Sequence, residues 1–250
     1  MIYMIMAGYF EDDASDELTK DPVFKAVLEK SALASQPTVS RFFNRMDEDT
    51  LKQFQEISRI LRKRLYSIQM PQAVILDLDS TLLAAYGKQE GRAFNFHYQS
   101  NGYHPLVCYD GITGDLIKIQ LRDGAAYSCT GVTDFLQPIL DEYLNDYPTI
   151  HLLLRGDSGF ATPDLYKQCE ENGTSYVIRL MENFIKESKS GFDFSAVSSH
   201  NRIVNANRVQ VHALAYNIFN WFRRLVLSAK MRKQRIDTVR LKLLKIAAKV

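Results

Sequence analysis

Long apolar runs are scarce in this sequence, and so is any strong excess of one charge. The opening Met1-Ile2-Tyr3-Met4-Ile5-Met6 is too short to span a bilayer, lacks a basic flank and runs into acids. It reads neither as a signal peptide nor as an anchor. The longer apolar stretch 205–227 is interrupted by Asn207, Arg208, His212, Asn217 and Asn220, polar groups that are costly in lipid. No membrane partner is therefore expected. Three cysteines, Cys108, Cys129 and Cys169, form no Cys-x-x-Cys pair and cannot all pair with one another. A reduced, cytoplasmic setting fits them. There is no internal repeat and no low-complexity segment. Net charge is only +2, so the total does not mark a nucleic-acid binder.

What is present is ordinary for a globular chain: 250 residues, 46% hydrophobic and 24% charged. That length buries a sizeable core, in one large domain or two small ones. The charges are unevenly placed. Arg223 to Lys249 holds ten Lys or Arg and one acid, Asp237, whereas Glu11 to Asp21 holds six acids and one Lys.

Residues 1–70 read as helical, with apolar residues at helical spacing through Phe24, Val27 and Leu28 and again from Leu51 to Leu65. Asp21-Pro22 reads as an N-cap with proline at the first helical position, and Gln36-Pro37 as a second helix start. From 71 the period changes. Ala73–Leu78 predicts a strand, Tyr103–Tyr109 another, and Leu116–Leu121 a third, returning after the turn at 110–115. Val132–Tyr147 predicts a helix, Ile150–Arg155 a strand, Thr162–Asn172 a helix, and Tyr176–Arg179 a last strand, with helix resuming near Glu182. The order is βββ-α-β-α-β-α. A long apolar helix at 205–227 and a basic amphipathic helix at 230–249 follow, the latter packing Ile236, Val239, Leu243 and Ile246.

Asp79 and Asp157 close two apolar strands, and Glu182 opens the last helical stretch. An acid at a strand end can simply cap the following turn. Three acids in matching topological positions suggest more: carboxylates from separate elements suit a pair of hard divalent ions clamping a phosphodiester. Glu182, Lys186 and Lys189 fall at i, i+4 and i+7, on one helical face. Spacing alone also allows an ordinary solvated Glu–Lys pair.

Asp79-Ser80-Thr81, Gly156-Asp157-Ser158-Gly159-Phe160 and the stretch from Met181 to Lys189 resemble the three active-site blocks of DDE transposases. The match is to the IS1380 family of the IS4-like group. Gln36-Pro37-Thr38-Val39-Ser40-Arg41-Phe42, Asn205-Ala206-Asn207-Arg208 and Trp221-Phe222-Arg223-Arg224-Leu225 resemble that branch too, so the likeness covers nearly the whole chain. The resemblance implies an RNase H-like α/β fold, a mixed five-stranded sheet with flanking helices. It implies a helical N-terminal segment at 1–70 (part of a DNA-binding region), a catalytic domain at 71–204 and basic C-terminal helices at 205–250. It implies an insertion-sequence transposase that cleaves and transfers DNA strands with Mg2+ or Mn2+ on Asp79, Asp157 and Glu182. The partners implied are double-stranded DNA, as transposon ends and target, and a second copy in a homodimer. The setting implied is the bacterial cytoplasm, at the nucleoid.

Two features depart from the family. Its Tyr-x2-Arg-x3-Glu-x6-Lys signature is kept in Glu182-x6-Lys189, but Tyr176-x2-Arg179 lies only two residues before Glu182. A β-rich insertion usual before the Glu helix is missing, as is some chain before Met1. A shortened copy, with its activity open to question, is the expectation.

Phosphate contacts are expected from Lys186, Lys189, Arg223, Arg224, Arg232 and Lys233, and from the tract Arg59, Arg62, Lys63 and Arg64. His212 reads as a packing histidine, and Trp221, with Phe219 and Phe222, as core. Two rival readings remain. Asp77-Leu78-Asp79-Ser80-Thr81-Leu82 fits the first motif of haloacid-dehalogenase-type phosphatases, with Asp77 as nucleophile and Asp79 as acid/base. Against it stand the hairpin after the strand and the lack of a second Asp in Gly156–Ala161. The other rival is a non-catalytic DNA-binding remnant.

Overall fold

The computed structural model describes residues 1–178, 192–193 and 197–243. Five helices come first: α1 (Ile2–Ala7), α2 (Ala14–Leu18), α3 (Pro22–Val27), α4 (Gln36–Asn44) and α5 (Glu48–Ile68). Their starts follow local chemistry. Asp21 accepts a hydrogen bond from the Phe24 amide at 2.9 Å, with Pro22 behind it, where a missing N–H costs nothing. Asp47 and Thr50 form a reciprocal box at the head of α5.

Strands β1 (Ala73–Ser80), β5 (Leu106–Asp110), β6 (Leu116–Gln120), β7 (His151–Gly156) and β8 (Ser175–Ile178) form one sheet in the order β6-β5-β1-β7-β8. β1 runs antiparallel to β5 and parallel to β7, and β5 pairs antiparallel with β6. Helices α6 (Val132–Asp146) and α7 (Pro163–Glu171) supply the crossovers. This is the mixed five-stranded α/β sheet with flanking helices that the pattern predicts. The strand after Asp79 does not lead into a βα unit.

Two sequence expectations need correction. Tyr103–Tyr109 is not one strand. Pro105 has no N–H to give to a ladder, and the chain breaks there into β4 (Ser100–Tyr103) and β5. β4 instead pairs with β2 (Leu83–Ala84) and β3 (Ala93–Asn95) in a small second sheet. Gly102 permits that sheet: a Cβ there would lie 2.1 Å from the Leu83 carbonyl oxygen. The basic tail is not one helix either. It forms α9 (Ala229–Arg232) and α10 (Ile236–Leu243), and 244–250 lie outside the described residues. Ile236 and Val239 pack as expected, but Leu243 is 39% exposed and Arg240 takes the inner face. Arg240 is four residues after Ile236, on the same side of the helix. Its guanidinium sits 4.5 Å from the Phe192 ring centroid and donates to the Met6 and Ile5 carbonyls, closing the end of α1.

The sheet divides two cores. Val74, Leu76 and Leu78 of β1 and Leu154 of β7 face α5, α6 and α7. On the other face, Val107, Tyr109 and Ile119 pack under the long helix α8 (Arg202–Leu225), together with Ile5, Val39 and Phe43 from the N-terminal helices. The polar residues that interrupt α8 are explained by this packing. Asn217 accepts from the Leu116 amide at 2.8 Å and donates to the Leu116 carbonyl at 2.7 Å, and Gln210 donates to the Ile119 carbonyl. They supply the partners that the backbone of edge strand β6 lacks. His212 is buried with Nδ1 2.6 Å from the Phe192 carbonyl oxygen, and burial lowers its pKa, as befits a packing histidine. None of the described helices is long and apolar enough to cross a membrane. All three cysteines are free.

Asn217→Leu should therefore destabilise the fold by about 2–5 kcal/mol, since it leaves two buried backbone groups without partners. Urea unfolding measures this; a loss below about 1 kcal/mol would mean that the Leu116 groups find water or another partner.

Candidate active site

The side chains of β1 alternate strictly between buried and half-buried. The half-buried set, Ile75, Asp77 and Asp79, shares one face with Leu153 and Arg155 of β7. The α8 core holds residues of β5 and β6, and among the described residues the β7–β8 side of the face stays partly open, with Val177 of β8 49% exposed. The acids thus stand on a shelf at the C-terminal ends of two parallel strands.

Their surroundings differ. Asp77 lies beside Arg155 in the β1–β7 register, and its two carboxylate oxygens accept from Nε at 2.8 Å and Nη2 at 2.5 Å. This pair holds the Arg155 pKa up and occupies Asp77. The β1–β7 pairing ends there; Asp79 lies two residues beyond Asp77 on β1, and Asp157 two beyond Arg155, just past the end of β7. Asp79 Oδ1 accepts from the Ser80 amide at 2.6 Å. Asp157 is extended and caps a short 3-10 turn, Ser158–Phe160, accepting from the Gly159 amide at 2.8 Å.

One loop touches both strand ends. Ser128 Oγ lies 3.0 Å from Ser80 Oγ, and a Cβ built on Gly159 would meet Ser128 Oγ at 3.2 Å and Asp157 Oδ1 at 3.0 Å. Arg122, only 7% exposed, sits beneath this loop, and burial lowers its pKa to about 10, so it stays charged at neutral pH. Neither Arg122 nor Ser128 carries a sequence signal. They follow β6 in a stretch without period, and only the fold brings them to the acids.

Of the expected site residues, Asp79 and Asp157 come to one end of the sheet. Glu182, Lys186 and Lys189 lie outside the described residues. Among the described residues no three His, Cys, Asp or Glu gather as a metal centre. Two hard carboxylates at neighbouring strand ends fit part of a Mg2+ or Mn2+ site, where one or two protein carboxylates serve each ion. Asp77, clasped by Arg155, does not add to it.

The expected DNA contacts are also sorted by the structure. Lys233 is exposed, and so is Arg232, which donates to the Leu227 carbonyl. Arg223 donates to Asn220 Oδ1, and Arg224 pairs with Asp115 at 2.9 Å. In the 59–64 tract, Arg59 pairs with Glu56 and Asp146, and Arg62 is buried against Glu142. Lys63 and Arg64 are exposed. Trp221 packs against the core, as expected. An apolar cavity of about 720 Å3 lies among the N-terminal helices, lined by Met4, Leu18, Phe24 and Val211. None of the strand-end acids lines it.

Comparison with known proteins adds a family. The model described as "Transposase DDE domain group 1" matches residues 1–182 and 180–250. No curated protein matches in sequence. Among solved structures, the chain is similar to the catalytic domain of Mos1 mariner transposase, at 10% identity and TM-score 0.33, over 76% of this chain and 97% of that one. It is similar to piggyBac transposase in a synaptic complex with hairpin DNA, at 9% identity and TM-score 0.41, over 100% and 72%. It is also similar to Mos1 transposase in a paired-end complex with the left transposon end, at 12% identity and TM-score 0.31, over 90% and 80%.

Proposed function

This chain belongs to the transposase DDE domain group 1 family, and on that premise we propose that it cleaves DNA at the ends of an insertion sequence and joins the freed 3′ ends to target DNA. The supporting observation is that the parallel strands β1 and β7 carry Asp79 and Asp157 at or just past their C-terminal ends, on one end of the sheet. Asp79, Asp157 and Glu182 would hold Mg2+ or Mn2+. When bound, the ions supply Lewis-acid charge at the scissile phosphate and lower the pKa of the attacking water. The chain's own groups do the rest. The strand ends fix the two aspartates, and Arg155 keeps Asp77 out of the reaction by holding both its oxygens. Lys186, Lys189, Arg223, Arg232 and Lys233 contact the phosphates of duplex DNA, while Arg224 is tied to Asp115.

We place the chain in the IS1380 branch on the residue blocks around Asp79, Asp157 and Glu182 and on the tail block 205–225. It is a compact member, since only three residues separate Ile178 at the end of β8 from Glu182. It works as a homodimer on two transposon ends, in the cytoplasm at the nucleoid. The short connection before Glu182 also favours a second reading, a DNA-binding remnant without catalysis. The phosphatase reading loses support, because its nucleophile would be the clasped Asp77.

The test is Mg2+- or Mn2+-dependent nicking of a plasmid carrying the flanking insertion-sequence ends, with chelator as control. Binding without nicking selects the remnant. Five phosphate contacts predict that log K falls against log salt with a slope of about −4.5. A salt-independent gel shift would overturn the proposed DNA interface.

A further inference from the structure

We propose that Arg122 and Ser128 form a clamp that positions Asp79 against Asp157; the inference rests on the metal-site reading above. The loop between β6 and α6 is tied at its start by a bridge from Asp123 to Tyr103 and by Gly124 to Gly91 and Asn95, but from Ala125 on it holds no helix or strand, and Gly131 at its end adopts a left-handed conformation, φ 68°. Left to itself, such a loop would sample many conformations. One buried guanidinium gathers it in. Arg122 Nη1 donates to the carbonyls of Tyr127 (3.1 Å), Ser128 (3.1 Å) and Thr130 (2.7 Å), and Nε donates to the His104 carbonyl at 2.9 Å. His104 closes the ring. Its amide donates to the Arg122 carbonyl, and its Nδ1 lies 2.7 Å from the Ala126 carbonyl oxygen.

The residue held in this way is the one that touches both acids' strands. Ser128 Oγ is bonded to Ser80, whose amide is bonded to Asp79, and Ser128 packs against Gly159, whose amide is bonded to Asp157. Arg155 ties β1 to β7 two residues earlier, through Asp77, and Ser128 adds a link beyond it, at the acids themselves. Both residues act through neighbours and not on substrate. Groups that orient metal-binding carboxylates in this indirect way typically change metal affinity by about 10–100-fold when removed.

The experiment is Mn2+ titration followed by electron paramagnetic resonance on the parent, Ser128→Ala, Ser128→Thr, Arg122→Lys, Asp79→Asn and Asp157→Asn. We expect Ser128→Ala and Arg122→Lys to weaken Mn2+ binding by about tenfold or more, with Ser128→Thr, which keeps the hydroxyl, near the parent. A merely structural role would lower the melting temperature and leave the Mn2+ affinity of the folded protein unchanged. Affinity within about twofold of the parent in folded Ser128→Ala overturns the clamp. If Asp79→Asn and Asp157→Asn also bind like the parent, the metal reading falls and takes the clamp with it. If those two lose Mn2+ while Ser128→Ala does not, the clamp alone falls. Should Arg122→Lys fail to fold, Ser128→Ala carries the decision.

Discussion

Asp157→Ala, and equally Asp79→Ala and Glu182→Ala, should lower strand cleavage by about a thousandfold or more while DNA affinity stays close to that of the parent. The two quantities separate because a metal-holding carboxylate and the phosphate contacts are different groups. Losing a Lewis acid worth several kcal/mol at the transition state converts to about three powers of ten in rate. On the proposed reading DNA affinity rests instead on Lys and Arg side chains elsewhere, and removing an acid from the shelf should, if anything, lessen repulsion of the phosphates. Asp77→Asn should be milder: it loosens the link between β1 and β7 through Arg155 but removes no ion. Single-turnover nicking and gel shift on the same preparations measure both quantities. Cleavage that survives Asp157→Ala would sink the assignment, and a phosphoaspartyl adduct on Asp77 would hand the site to phosphatase chemistry.

The second large effect lies away from the site. Glu142→Leu should destabilise the protein by about 3–5 kcal/mol, because it strands a buried guanidinium. Arg62 of α5 and Glu142 of α6 meet at 2.9 and 2.5 Å with side chains 10% and 8% exposed, and Arg62 also donates to the Ile117 carbonyl. The double change Arg62→Met with Glu142→Leu should recover most of the loss, since an apolar pair of similar volume removes the uncompensated charge. Urea unfolding of the three variants decides it. If the double variant is no more stable than Glu142→Leu alone, packing and not charge is what the pair provides.

Arg62 also shows where reading the sequence reaches its limit. In the run Arg59, Arg62, Lys63, Arg64 it counts as one more surface cation, and nothing local distinguishes it from Lys63. Only the approach of Glu142, 80 residues later, makes it interior. Arg224 and Arg240 are similar: composition marks a basic tail, while tertiary contacts turn these two inward, to Asp115 and to the end of α1. The five main strands were legible because each is a run of apolar or alternating residues bounded by turn residues. The small sheet at 83–103 was not, since strands of two to four residues carry too little period to register. Asp79 and Asp157 were legible as acids closing apolar strands. That Asp77 is occupied was not, because Arg155 stands opposite it only once β1 and β7 are aligned. The asparagines of α8 read correctly as polar interruptions. Their purpose needed β6, about a hundred residues earlier in the chain.

The bond from Arg240 to the Met6 carbonyl spans 234 positions in the chain. At ribosomal rates of about 5–20 residues per second, α1 must wait roughly 12–47 s for the side chain that closes its last turn. Through that interval the Met6 and Ile5 carbonyls lack the guanidinium that they accept from in the finished protein. The sheet and its acids can assemble well before then. Closure of α1 is therefore gated by the emergence of Arg240, and a translation product interrupted between Asp157 and Arg240 carries the strand-end acids without the bond that closes this helix.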